Sequence, residues 1–229
     1  SAPEDKETEG PSNDRTDFIQ WLFPAEAKSE MLDDGAFEPD RRRHRPSGLR
    51  LLCLHGYGSN NVYPFDRVTG TFMNRTYGGK GGTEQHGKFS TNHGCTYDPR
   101  NGMIAVSDRA NHRLEYLRFD PASPDGLAYD HTVDMRPGMG GATLPCNLRA
   151  YPAQEGRAIS PALDGPVAVL DAHDAVVSVV NVSVLLAAEQ HKHPHDAIFL
   201  ANGDMAVATW APGRLSYWRR LHPPAAPPR

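Results

Sequence analysis

The chain has 229 residues, 38% of them hydrophobic and 23% charged, and a formal net charge of -4. That charge provides no broad basic surface to neutralise phosphates, which argues against nucleic acid as a partner, and no stretch reaches the roughly 18 apolar residues that span a bilayer. The 21 glycines and 20 prolines shift the composition toward turns and favour many short strands over long helices.

Residues 1 to about 16 are polar and charged and read as a tail. They open on an acidic stretch with no apolar core of a signal peptide. A processed N-terminus would point to a secreted or lumenal chain. "DFIQWLFPAEAKSEMLDD" predicts a short helix interrupted at Pro24, and Arg41 to Pro46 reads as a solvated basic linker. Residues 1–45 are therefore expected to form a segment outside the regular fold.

From residue 49 the texture changes to short β-rich runs punctuated by Gly, Pro, Asn and Asp. "LLCLHGYGSNNV", residues 51–62, has two readings: the first strand and oxyanion loop of an α/β-hydrolase, or a strand and tight turn of a β-repeat. The chain contains no G-x-S-x-G, and nothing after residue 50 sustains a 3.6-residue apolar period. The repeat reading stands. Val62, Leu114, Val167 and Leu215 each follow a turn and begin a strand at intervals of about 50 residues, the period of propeller blades. The expectation is an all-β propeller of radially arranged four-stranded antiparallel sheets over residues 46–221, with a Pro-rich tail at 222–229. "GGKGG", Gly78 to Gly82, reads as an inter-blade loop, because no Ser or Thr follows Lys80 as a phosphate loop requires. Cys53, Cys95 and Cys146 allow at most one disulfide.

Two stretches are specific enough to carry a family resemblance. "GKFSTNHGCTYDPRNGMIAVSDRANHRLEYLRFD" at 87–120 and "HKHPHDAIFLANGDMAVATWAPGRLSYWRRL" at 191–221 resemble NHL repeats. Within that family the chain is similar to the peptidyl-α-hydroxyglycine α-amidating lyases, six-bladed propellers with a central zinc. About four blades are recognisable here. The resemblance implies zinc ligation by His93 and His195, a catalytic tyrosine at Tyr57, and an active-site arginine at Arg109, sixteen residues after His93. It also implies a structural calcium ligand at Asp196. The family's third zinc histidine and a second arginine come from earlier blades, for which residues 1–45 offer no counterpart.

The chemistry has a physical basis, and each residue also has a plainer role. In a propeller the innermost strands begin beside the central channel, so histidines from different blades can converge on one ion. Zinc accepts imidazole, a tyrosine beside a substrate hydroxyl can serve as general base, and an arginine can hold a carboxylate in a bidentate fork. Equally, the two histidines could serve turn geometry, Tyr57 could be a packed lid, Arg109 could pair with Asp108, and Asp196 could cap a turn. His191, His193 and His195 could also hold an adventitious ion. The occupant would be a peptide substrate in an enzyme. In a non-catalytic NHL scaffold it would be a protein partner, or a larger assembly covering the open blade edges. A third ligand near His93 and His195 separates the two.

Overall fold

The computed structural model describes residues 50–66, 69–186 and 191–220, with only the backbone of Arg50, Leu51 and Cys53. The tails expected at 1–45 and 222–229 lie outside the described residues. Among the described residues, fourteen strands form four antiparallel sheets, each a meander of sequential neighbours. The first holds β1 (Arg50–Leu54), β2 (Asn61–Asp66) and β3 (Tyr77–Gly78). The second holds β4 (Asn92–Asp98), β5 (Met103–Asp108), β6 (Arg113–Phe119) and β7 (Leu127–Asp134). The third holds β8 (Arg149–Tyr151), β9 (Arg157–Pro161), β10 (Pro166–Leu170) and β11 (Val176–Asn181), and the last β12 (Lys192–Phe199), β13 (Met205–Ala211) and β14 (Arg214–Trp218). Two four-residue helices, α1 (Arg136–Met139) and α2 (Val182–Leu185), follow β7 and β11. No helix among the described residues is long and apolar enough to cross a membrane.

These sheets are four blades of a propeller-type fold, the first and last with three described strands instead of the expected four. Strand pairing shows which strands correspond. Val62 lies opposite Leu54, Leu114 opposite Ser107, Val167 opposite Pro161 and Leu215 opposite Ala208. The four repeat positions thus occupy the same site on the third strand of each blade. By this register β1 is a second strand, and blade 1 is described from its second strand onward.

Because side chains alternate across a strand, each blade has a leading face toward the next blade and a trailing face toward the previous one. Leu52, Leu54 and Val62 of blade 1 pack against Cys95, Ile104, Val106 and Leu117 of blade 2. Ala105, Leu114 and Tyr116 on the other face of blade 2 pack against Leu148, Ala158, Ala168 and Leu170 of blade 3. Ile159 and Val167 of blade 3 then meet Ala197, Met205 and Val207 of blade 4. Each fully buried Val or Leu at these seams is worth about 1.5–3 kcal/mol relative to exposure, so stability resides between blades as much as within them. The Cys95 and Cys146 side chains are both buried.

Two buried polar clusters fix the geometry. The turn after β5 is a 3-10 turn, Arg109–Asn111, followed by His112 in the left-handed region at φ 60. This reversal brings Arg113 back opposite Asp108, so Arg113 Nε donates to Asp108 Oδ2 at 2.8 Å and Asn111 Nδ2 donates to the same oxygen at 2.7 Å. Asp108 is thereby paired with Arg113 and not with its neighbour Arg109, which is left to project elsewhere. At the far end of the same blade Arg100 spans the seam to blade 3 through Asp98, Asp174, Tyr116 and the carbonyls of Gly156 and Asp171. "GGKGG" joins β3 to β4, as an inter-blade loop should.

Candidate functional site

His93 and His195 occupy β-bulges. On β4, Asn92 pairs with Asp108 and Gly94 with Ser107, skipping His93; on β12, Pro194 pairs with Thr209 and Asp196 with Ala208, skipping His195. A bulge inserts one residue and re-aims its side chain. Here it turns an imidazole from each first strand toward a shared centre, with ring centroids 4.7 Å apart and planes at 75°.

The turn between β1 and β2 brings Tyr57 to the same place. Gly56 makes this possible, since a Cβ there would stand 2.3 Å from the carbonyl oxygen of Asn92. The Tyr57 ring meets His93 edge to face at 6.1 Å. Arg109 Nη2 donates to the Tyr57 hydroxyl at 3.0 Å, and its guanidinium carbon lies 5.2 Å from the ring centroid. The Tyr57 ring is 64% exposed, so it stands at the mouth of the site and does not act as a packed lid. Tyr57, His93, Arg109 and His195, named together by the family resemblance, form one contiguous group.

The electrostatics keep both imidazoles neutral. His93 is buried, its pKa held down at about 4 by desolvation and by the Arg109 charge, against the raising effect of its bond to the Cys146 carbonyl. His195 is shifted in the same direction by burial and Arg109, with Asp196 opposing. His93 Nδ1 donates to the Cys146 carbonyl at 3.0 Å, which makes Nε2 the lone-pair atom. The approach depends on Gly94, whose Cβ would lie 2.3 Å from that same carbonyl oxygen. Neutral nitrogen donors of this kind suit zinc. Among the described residues, no group of three or more His, Cys, Asp or Glu is arranged to hold an ion, so the fit extends to two ligands.

The remaining candidates lie elsewhere. Asp196 takes Arg149 Nε at 3.0 Å and Nη2 at 2.5 Å, and its Oδ1 accepts the Ala197 N–H at 2.9 Å. A calcium ion there would have to displace the guanidinium, so the carboxylate as it stands does not fit that role. His193 turns to the Leu163 carbonyl at 2.8 Å and lies beside Trp210, separating it from His195. One member of the site was missed. "PCNL" at 145–148 aligns with "PHDA" at 194–197 and "NHGC" at 92–95, which places Cys146 at the histidine position of blade 3. Its thiol is pushed up to about 11 by burial, with Arg109 acting in the opposite direction. The signal was the repeat itself, aligned blade on blade.

These shifts predict a pH dependence. The His93 pKa falls from 6.5 in the unfolded chain to about 4 in the fold, so between those values the unfolded state binds more protons and stability rises with pH. Acidifying metal-free protein from pH 7 to 4 should therefore cost the wild type about 3 kcal/mol more than His93→Gln. Urea titrations of both proteins across that range check it; parallel pH profiles would contradict it.

The chain matches no family model and no curated protein. Solved structures do resemble it. Kuenenia stuttgartiensis hydrazine synthase matches at 10% identity with a TM-score of 0.50, covering 73% of this chain and 42% of that one. A provisionally assigned 6-phosphogluconolactonase from Bacteroides uniformis matches at 17% identity and TM-score 0.49, covering 76% and 54%. BBS1N, solved in complex with ARL6DN, matches at 13% identity and TM-score 0.45, covering 71% and 43%. The chain thus spans about half the length of the solved structures it matches. At these identities the likeness is one of fold, an all-β, propeller-type array, and assigns no residue a role.

Proposed function

We propose that this chain carries part of the active site of a zinc-dependent carbon–nitrogen lyase that cleaves peptidyl-α-hydroxyglycine to amidated peptide and glyoxylate. The observation that carries the reading is the convergence of Tyr57, Arg109, His93 and His195 from three blades on one centre. His93 and His195 would hold the metal through neutral nitrogens. A bound zinc supplies Lewis acidity, making a nearby hydroxyl easier to deprotonate.

The chain's own groups account for the remaining chemistry. Tyr57, at the exposed mouth, takes the proton of the substrate hydroxyl as general base. As that O–H bond breaks, its electron pair forms the carbonyl of glyoxylate, the C–N bond breaks, and the leaving amide nitrogen receives the proton that Tyr57 took from the hydroxyl, which returns the tyrosine to its starting state. Arg109 aligns the Tyr57 hydroxyl through the 3.0 Å hydrogen bond. A guanidinium has five N–H donors, so others serve the substrate carboxylate. The alternative is a scaffold without catalysis: among the described residues no third ligand joins His93 and His195, and the lyase reading rests instead on two bulged imidazoles, a tyrosine and an arginine meeting at one centre.

Metal content tests the reading. Purified protein should retain about one equivalent of zinc, and His93→Ala or His195→Ala should remove most of it, because losing one inner-shell nitrogen weakens a zinc site strongly. His173→Ala, on an exposed turn, should leave it unchanged. Equal zinc in all three variants would place the ion elsewhere.

A further inference from the structure

The four repeat positions do not share one fate. Val62, Leu114 and Val167 are each 0% exposed beneath the next blade, whereas Leu215 is 79% exposed. The contrast extends along the strand. In blade 2, Tyr116 pairs with Ala105 and Leu114 with Ser107; in blade 4, Tyr217 pairs with Ala206 and Leu215 with Ala208. The same arrangement of leucine, tyrosine and small residues is therefore built twice. Blade 3 covers it in blade 2, where Tyr116 is 0% exposed, and nothing described covers it in blade 4, where Tyr217 is 57% exposed. Ile198 and Trp210 are further exposed apolar side chains of blade 4.

Such a face fits a partner with the properties of a trailing blade face. One trailing face among the described residues is not packed on a preceding blade, that of blade 1. Val62 and Pro64 of β2 are buried, and by alternation Tyr63 and Phe65 turn to the opposite side. There they gather with Phe72, ring centroids 6.0 and 5.5 Å apart. Within one chain this face does not cover blade 4, as the exposure of Leu215 shows.

We infer that the leading face of blade 4 packs on the trailing face of blade 1 in a second copy of this chain. Two-fold closure satisfies both unmatched faces at once: each dimer contains the same seam twice, of the kind that already joins blades 1 to 4. The inference is independent of the lyase reading.

Sedimentation of the full chain up to about 100 μM tests it. The wild type is expected to be a discrete dimer. Leu215→Glu on one face and Phe72→Glu on the other should each give monomers, with an unchanged circular dichroism spectrum because both side chains already face solvent. Mixing the two variants should restore a heterodimer, since one unaltered seam remains between them. A monomeric wild type would overturn the proposal and leave the face to a different protein. A dimer that survives Leu215→Glu, an open-ended polymer, or a mixture that stays monomeric while the wild type dimerises would overturn it equally.

Discussion

Replacing Arg100 with alanine is expected to destabilise the protein by about 3–5 kcal/mol, the usual consequence of removing one partner from a buried ion pair. Arg100 Nη2 lies 2.6 Å from both Asp98 and Asp174, Nη1 donates to the carbonyls of Gly156 and Asp171, and Tyr116 shares Asp98. The Asp98 side chain is 0% exposed, so alanine leaves a carboxylate in the seam with neither water nor a cation. Urea unfolding at constant m reads the loss as a lower midpoint. The double variant Asp98→Asn, Arg100→Met should recover part of the loss, because it removes the stranded charge as well as its partner. A single variant as stable as wild type would show that the blades are held by their apolar seams alone.

The second large effect is on turnover. Tyr57→Phe should lower kcat by on the order of 10²-fold or more, the scale of a general base, without disturbing the fold. Its ring is mostly exposed and the lost hydroxyl bonds only Arg109 among the hydrogen bonds observed here. Arg109→Ala should mainly raise KM, since a carboxylate clamp acts in the ground state as well as the transition state. Part of the Arg109→Ala effect would fall on kcat, because the guanidinium also orients Tyr57. Steady-state kinetics on the two variants separate these roles; a Tyr57→Phe enzyme at wild-type kcat would remove the tyrosine from the mechanism.

How much of this could be read in the sequence follows from the range of each interaction. The blade period was legible because the same apolar position recurs at Val62, Leu114, Val167 and Leu215, a recurrence that burial beneath the next blade demands at the first three. The candidate site residues came from the family resemblance and not from any local pattern, and the bulges explain why single histidines in those strands turn inward. The ion pair of Asp108 was misassigned to Arg109 because adjacency suggested it. The left-handed His112 reverses the chain and delivers Arg113 instead. Arg100 reaches across 74 residues to Asp174, a contact that no local pattern encodes. Cys146 escaped notice because its residue type differs from the histidines whose position it shares.

The central claim is most directly tested by glyoxylate release from a peptidyl-α-hydroxyglycine, measured with zinc-loaded wild type beside Tyr57→Phe. The account predicts glyoxylate formed in step with amidated peptide, above the uncatalysed rate, and falling by about 10²-fold in the variant. Release at the uncatalysed rate by zinc-loaded wild type, or equal release by the two proteins, would contradict it.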